Sequence, residues 1–139
     1  MSDPVKIFTD DLLPQLQMIL GPSYTYNIRE PTESELQPKQ CWLVIDALDF
    51  GESYADLLTQ IEFKQRIYVT VMYEISKEAL HYLQVRLKRK EVMRAVFRTI
   101  RGLPDDITPS IDQENAIITE ALFAATIPVD LIWTEGVDS

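Results

Sequence analysis

The sequence has one cysteine and one histidine in 139 residues. A lone Cys41 cannot build an intrachain disulfide framework, and a lone His81 cannot join other histidines or cysteines in a metal cluster. A reduced, intracellular folding environment follows as the default. Glycine is also scarce, with four residues, which leaves little backbone for a phosphate cradle. No P-loop, Gly-x-Gly-x-x-Gly, Gly-x-Ser-x-Gly or His-Glu-x-x-His pattern occurs. No apolar run approaches the roughly 20 residues that a membrane helix requires, so no membrane partner is expected. The first residues, Met1-Ser2-Asp3-Pro4, lack the basic flank and apolar centre of an export signal. The composition is otherwise that of a globular chain, 46% hydrophobic and 25% charged, and the length suits one domain over 1–139, with 134–139 a frayed polar tail.

The charge is uneven. The formal net charge is −9, yet seven of the 13 basic residues fall in 86–101 beside a single acid, Glu91. That stretch carries +6 and the remaining 123 residues carry −15. Phosphates would be repelled by most of such a surface, which argues against nonspecific nucleic-acid binding by the whole surface.

Apolar periodicity gives a coarse element map. Val5, Phe8, Leu12, Leu16, Ile19 and Leu20 recur at helical spacing after an Asp3 cap and Pro4. Pro14 allows a kink, or a restart capped by Thr9, and Gly21-Pro22 ends the helix. Tyr24, Tyr26 and Ile28 alternate as in a short strand over 24–30, and 31–40 reads as loop. CWLVIDAL (41–48) reads as a central strand buried on both faces. Residues 49–60 read as a loop containing Gly51 and Ser53. Ile61, Phe63, Ile67, Val69, Val71 and Tyr73 share one parity of a long amphipathic strand.

A helix capped by Ser76 then runs to Arg101, ended by Gly102 and Pro104. Leu80, Leu83 and Leu87 form one apolar stripe and Val92, Met93, Val96, Phe97 and Ile100 another. A straight helix would lay Arg86, Lys90, Arg94 and Arg98 over the first stripe, so a bend near 88–91 is expected. After a loop over 103–110, residues 116–133 alternate again, with Pro128 implying an edge position or a bulge. The expected fold is α+β: a mostly antiparallel sheet of about four or five strands flanked by two main helices.

Most of the polar candidates have an ordinary structural role. His81 between Leu80 and Tyr82 suits a surface or interface histidine, and Cys41 a small buried thiol. Asp10-Asp11, Asp105-Asp106 and Asp46/Asp49 lack calcium-loop spacing, and the first two pairs read as caps or turn acids. No enzyme, cofactor or metal site is expected. Asp46 stands out, because an ionised group inside an apolar strand needs a partner. A buried pair with an arginine is its structural role and a subunit contact its functional one. The basic stretch suits a solvated helix face, but its near-uniform sign on an acidic molecule points to a partner. That partner is nucleic-acid phosphate or the acidic side of another copy. Apart from Phe97 the stretch has no aromatic interleaving, which disfavours a stacking groove for single strands. Arg86, Lys90, Arg94, Arg98 and Arg101, with Asp46, are thus the candidate interface residues, facing a subunit or DNA.

The element order, length and acidity resemble the tail terminator proteins of long-tailed bacteriophages of the lambda type, and related neck or head–tail completion proteins. The resemblance lies in the first helix through Leu20, in CWLVIDAL, in IEFKQRIYVTVMYE with the helix after it, and in the closing ATIPVDLIW. It is one of pattern over nearly the whole chain, without a fingerprint motif. It implies a virion structural protein of the head–tail junction, assembled in the host cytoplasm. It also implies a ring, hexameric in that family, which caps the tail tube, stops its polymerisation and offers a head-joining surface. The implied partners are other copies, the tail tube protein, a head connector or neck protein, and DNA passing through the ring. The alternative is an intracellular nucleic-acid-binding adaptor using 86–101.

Overall fold

A computed structural model describes residues 3–29, 37–50, 60–75, 79–119 and 122–136, with side chains of the second helix from Tyr82 onward. The order is α1 (Pro4–Leu20), β1 (Thr25–Asn27), β2 (Gln40–Phe50), β3 (Gln60–Glu74), α2 (Ala79–Arg101), β4 (Thr108–Ile111), β5 (Asn115–Ile118) and β6 (Leu122–Gly136). The class is α+β as expected, with six strands among the described residues rather than four or five. The sheet runs β1-β2-β3-β6-β4, and β5 also pairs with β6. All pairings are antiparallel except β1 with β2. The Ser76 cap, the 51–59 segment and the His81 side chain lie outside the described residues.

The first helix is continuous through Pro14. The Asp3 carboxylate caps it by accepting from Val5 N at 3.0 Å, and Gly21 ends it at φ 88° while donating to Gln17 O at 3.0 Å. A positive φ is where glycine avoids the Cβ strain of other residues. Phe8, Leu12, Leu16 and Leu20, spaced by four, are buried against the sheet.

Strands β3 and β6 pair along their whole length, from Gln60↔Gly136 to Glu74↔Leu122. Fifteen residues at about 3.4 Å each make a ribbon of roughly 50 Å. Their odd-numbered residues form the helix side: Ile67, Val69, Val71 and Tyr73 face it with Ala125, Ile127, Val129 and Leu131, all buried. Pro128 stands in the interior of the sheet, in an uninterrupted strand. The irregularity expected there falls on its neighbour. Asp112 N donates to Pro128 O at 3.0 Å, and Pro128 has no N–H to return the bond. Pairing of β4 stops at Ile111↔Val129 and resumes at Asn115↔Thr126, one residue out of register.

Two further expectations are corrected. The 41–48 run is not a strand buried throughout: Cys41, Trp42 and Leu43 are buried, while Ile45 to Phe50 are exposed. β1 covers its outer edge only at Gln40–Trp42. Helix α2 is unbroken from Ala79 to Arg101. Its buried face is Val85, Val92, Ala95, Val96 and Thr99, so Leu83 and Leu87 point outward and no bend is required to bury them.

Candidate interface surfaces

The packing of α2 fixes where its charges point. At about 100° per residue, Val85, Val92, Ala95, Val96 and Thr99 define an inward arc. Arg86, Lys90, Arg94, Arg98 and Arg101 fall in an opposite arc of roughly 120°, and all five are exposed. Lys88 and Arg89 are turned toward the sheet instead. The Lys88 ammonium lies 5.4 Å from the Tyr24 ring, and Arg89 lies 4.5 Å from the Phe123 ring while pairing with Glu114. Among the five outward cations, Arg94 meets Glu91 and Arg98 Nε donates to Gln15 Oε1 at 3.2 Å. Leu83, Leu87 and Phe97 share the same arc and are 54–56% exposed. The outward face is thus cationic and apolar at once, a combination that a merely solvated helix face has no use for.

The sixth candidate, Asp46, is elsewhere. It sits at a bulge in β2, where the register shifts between Ile45 and Leu48. Asp46 is exposed and accepts from Ala47 N at 2.8 Å, while the Gln65 amide donates to its backbone oxygen. The buried arginine pair expected of Asp46 is found at Asp130, directly opposite Arg66 across β3 and β6. Arg66 donates to both Asp130 oxygens at 2.9 Å and reaches Asp112 at 2.7 Å. Asp130 is nearly buried, and hydrogen bonding from Arg66 holds its carboxyl below the usual aspartate range. Asp130 is absent from the candidates named from the sequence. An Asp amid Val129, Leu131 and Ile132 carried the same signal as Asp46.

A groove that the sequence did not reveal lies at the far end of the β2–β3 hairpin. It encloses about 470 Å³ between the start of α1 (Asp3, Pro4) and Ile45, Leu48, Phe63 and Trp133. Gln65 and Glu135 complete its polar lining with Asp3, and among the described residues no cation lines it. Phe50, Phe63 and Trp133 form an aromatic row, with centroids 5.4 and 5.7 Å apart. Phe50 is 64% exposed, and Ile45 and Leu48 are each 42% exposed.

Cys41 is buried, and burial pushes its thiol up to about 12, which removes the thiolate a nucleophile needs. No cluster of three or more His, Cys, Asp or Glu suited to a metal occurs among the described residues, and no described helix is long and apolar enough to cross a membrane. Compared with known protein families and with curated proteins, the sequence matches none.

Proposed function

We propose that this chain is a virion structural protein that assembles into a ring, acting as a terminator at the head end of a phage tail tube. The observation that carries the reading is the outward face of α2, where five cations and three large apolar side chains are exposed together on an otherwise acidic molecule. Such a face loses most by staying in water and gains most against an apolar, acidic surface. Other copies of the chain supply that surface at the concentration of the protein itself. The order of elements supports the tail terminator assignment within the broader class of ring-forming assembly proteins. In this role the ring, taken as a hexamer, binds the last ring of tail tube protein. It stops further addition and presents its other side to a head connector or neck protein, with DNA passing through its centre. No catalytic step and no cofactor is part of the proposal.

Light scattering of the purified chain, with electron microscopy of mixtures with tail tubes, tests the reading. A ring in solution or on tube ends is the expected result. A monomer at high concentration that leaves tubes uncapped refutes it. DNA affinity that falls steeply with salt, without assembly, would transfer the α2 face to the adaptor reading.

A further inference from the structure

We propose that the groove at the end of the β2–β3 hairpin receives the outward face of α2 from a second copy of this chain, so that subunits join head to tail. The inference rests on the ring-forming reading above and deepens it by naming the other half of the contact. Its basis is complementarity of two kinds. The floor of the groove is apolar, made by Ile45, Leu48, Phe63 and Trp133, and its lining among the described residues carries the carboxylates of Asp3 and Glu135 and no cation. Asp46 is exposed on the same strand beside it. The α2 face presents Leu83, Leu87 and Phe97 for the floor and a row of arginines and a lysine for the rim.

The alternatives within a homo-oligomer are worse. A two-fold contact of α2 against α2 would bring ten cations together, and a groove against a groove would oppose carboxylates. Either arrangement costs repulsion that desolvation strengthens. Pairing unlike surfaces neutralises both. The surfaces also occupy different parts of the fold. The C-terminal half of α2 packs beside β4, where Phe97 and Ile100 share a pocket with Pro109 and Ile111. The groove lies on β2, β3 and the start of α1. A subunit cannot fill its own groove with a helix held down along Val85, Val92 and Val96. Contact between two different patches is heterologous and closes into a ring when the rotation per subunit permits.

The test uses two variants of the full chain. One is Arg94→Glu with Arg98→Glu, which spoils the helix and keeps the groove. The other is Leu48→Asp, which spoils the groove and keeps the helix. Glu135→Lys serves as a second groove variant: it reverses a charge of the lining and also takes from Trp133 Nε1 the carboxylate acceptor it holds at 3.0 Å. All four positions lie at the surface, and melting curves check that each variant is folded. Each variant alone should run at the 16.0 kDa of one chain. Mixed, they retain one intact helix and one intact groove between them, so they should form a 1:1 dimer and stop there.

Proximity gives an independent reading. Phe97→Cys with Leu48→Cys should give subunit ladders with a short bis-maleimide, against a silent background from buried Cys41. Rings that survive all the variants overturn the pairing while leaving the ring reading standing. Variants that stay monomeric when mixed overturn it equally. So does a helix variant that still forms rings but loses DNA binding, which would assign the α2 face to DNA. A wild-type chain that never assembles removes both readings together.

Discussion

The two ends of the β2–β3–β6 ribbon are built from the same kinds of residue and treated differently by the fold. At one end Leu43, Val69 and Ile127 lie side by side beneath the helices, each fully or almost fully buried. At the other, Ile45, Leu48 and Phe50 keep 42–64% of their surface although the strands stay paired on both sides of the Asp46 bulge. Alternation alone therefore does not produce burial: a strand face is covered only where a helix reaches it. Asp3, the cap of α1, lines the boundary groove, and the ribbon continues past it. The covered end accounts for the stability of the fold, while at the other end the described residues leave apolar surface exposed.

Substitutions along the ribbon sharpen that contrast. The largest loss is expected at the covered end. Leu43→Ala removes a fully buried side chain and should cost about 2–5 kcal/mol in denaturant unfolding. A cost under about 1 kcal/mol would mean that the helix layer packs loosely there.

Asp130→Ala, on the face away from the helices, should cost about 1–3 kcal/mol because Arg66 loses its buried carboxylate and keeps the exposed Asp112 as its acidic partner. Acid should act in the same direction. The lowered carboxyl of Asp130 stabilises the fold fully above its ordinary value near 3.8, and this contribution is lost as pH falls through the lowered native value. Melting temperatures of Asp130→Asn should therefore fall less steeply than wild type below about pH 4. Parallel acid limbs would show that the pair contributes nothing.

The smallest effect is expected at the bare end. Phe50→Ala should change the stability of a dissociated subunit by no more than about 0.5–1 kcal/mol, since its ring has one edge contact with Phe63 and is mostly solvated. A loss comparable to that of Leu43→Ala would erase the distinction between the two ends.

Much of this arrangement was legible in the sequence. The odd-numbered apolar residues of β3 and β6 revealed which face is buried, because a strand has a fixed period of two. Pro4, Asp3 and Gly21 marked the ends of α1 by their local chemistry. The five cations of α2 were identified as a single face, and they are one. What failed was any inference that depended on partners distant in sequence. Helix α2 carries two apolar arcs, and burying both would require a bend. Yet the smaller set of Val85, Val92, Ala95 and Val96 is what allows the helix to lie against α1 and the sheet. Asp46 and Asp130 looked alike within apolar strands. Cross-strand register gives Asp130 its arginine, and a one-residue bulge turns Asp46 to solvent. The groove depends on where a helix stops relative to three strands, which no local pattern encodes.

Pro128 has a consequence for solubility. An open sheet edge invites strand addition in proportion to the length of its unbroken row of unpaired donors and acceptors. By forcing its neighbour to slip, Pro128 divides that border into two four-residue pieces whose hydrogen-bonding rows are out of phase. A stray β-strand could register with one piece but not continue onto the other. A proline in the middle of the sheet thus defends its margin against amyloid-like growth, from one strand further in.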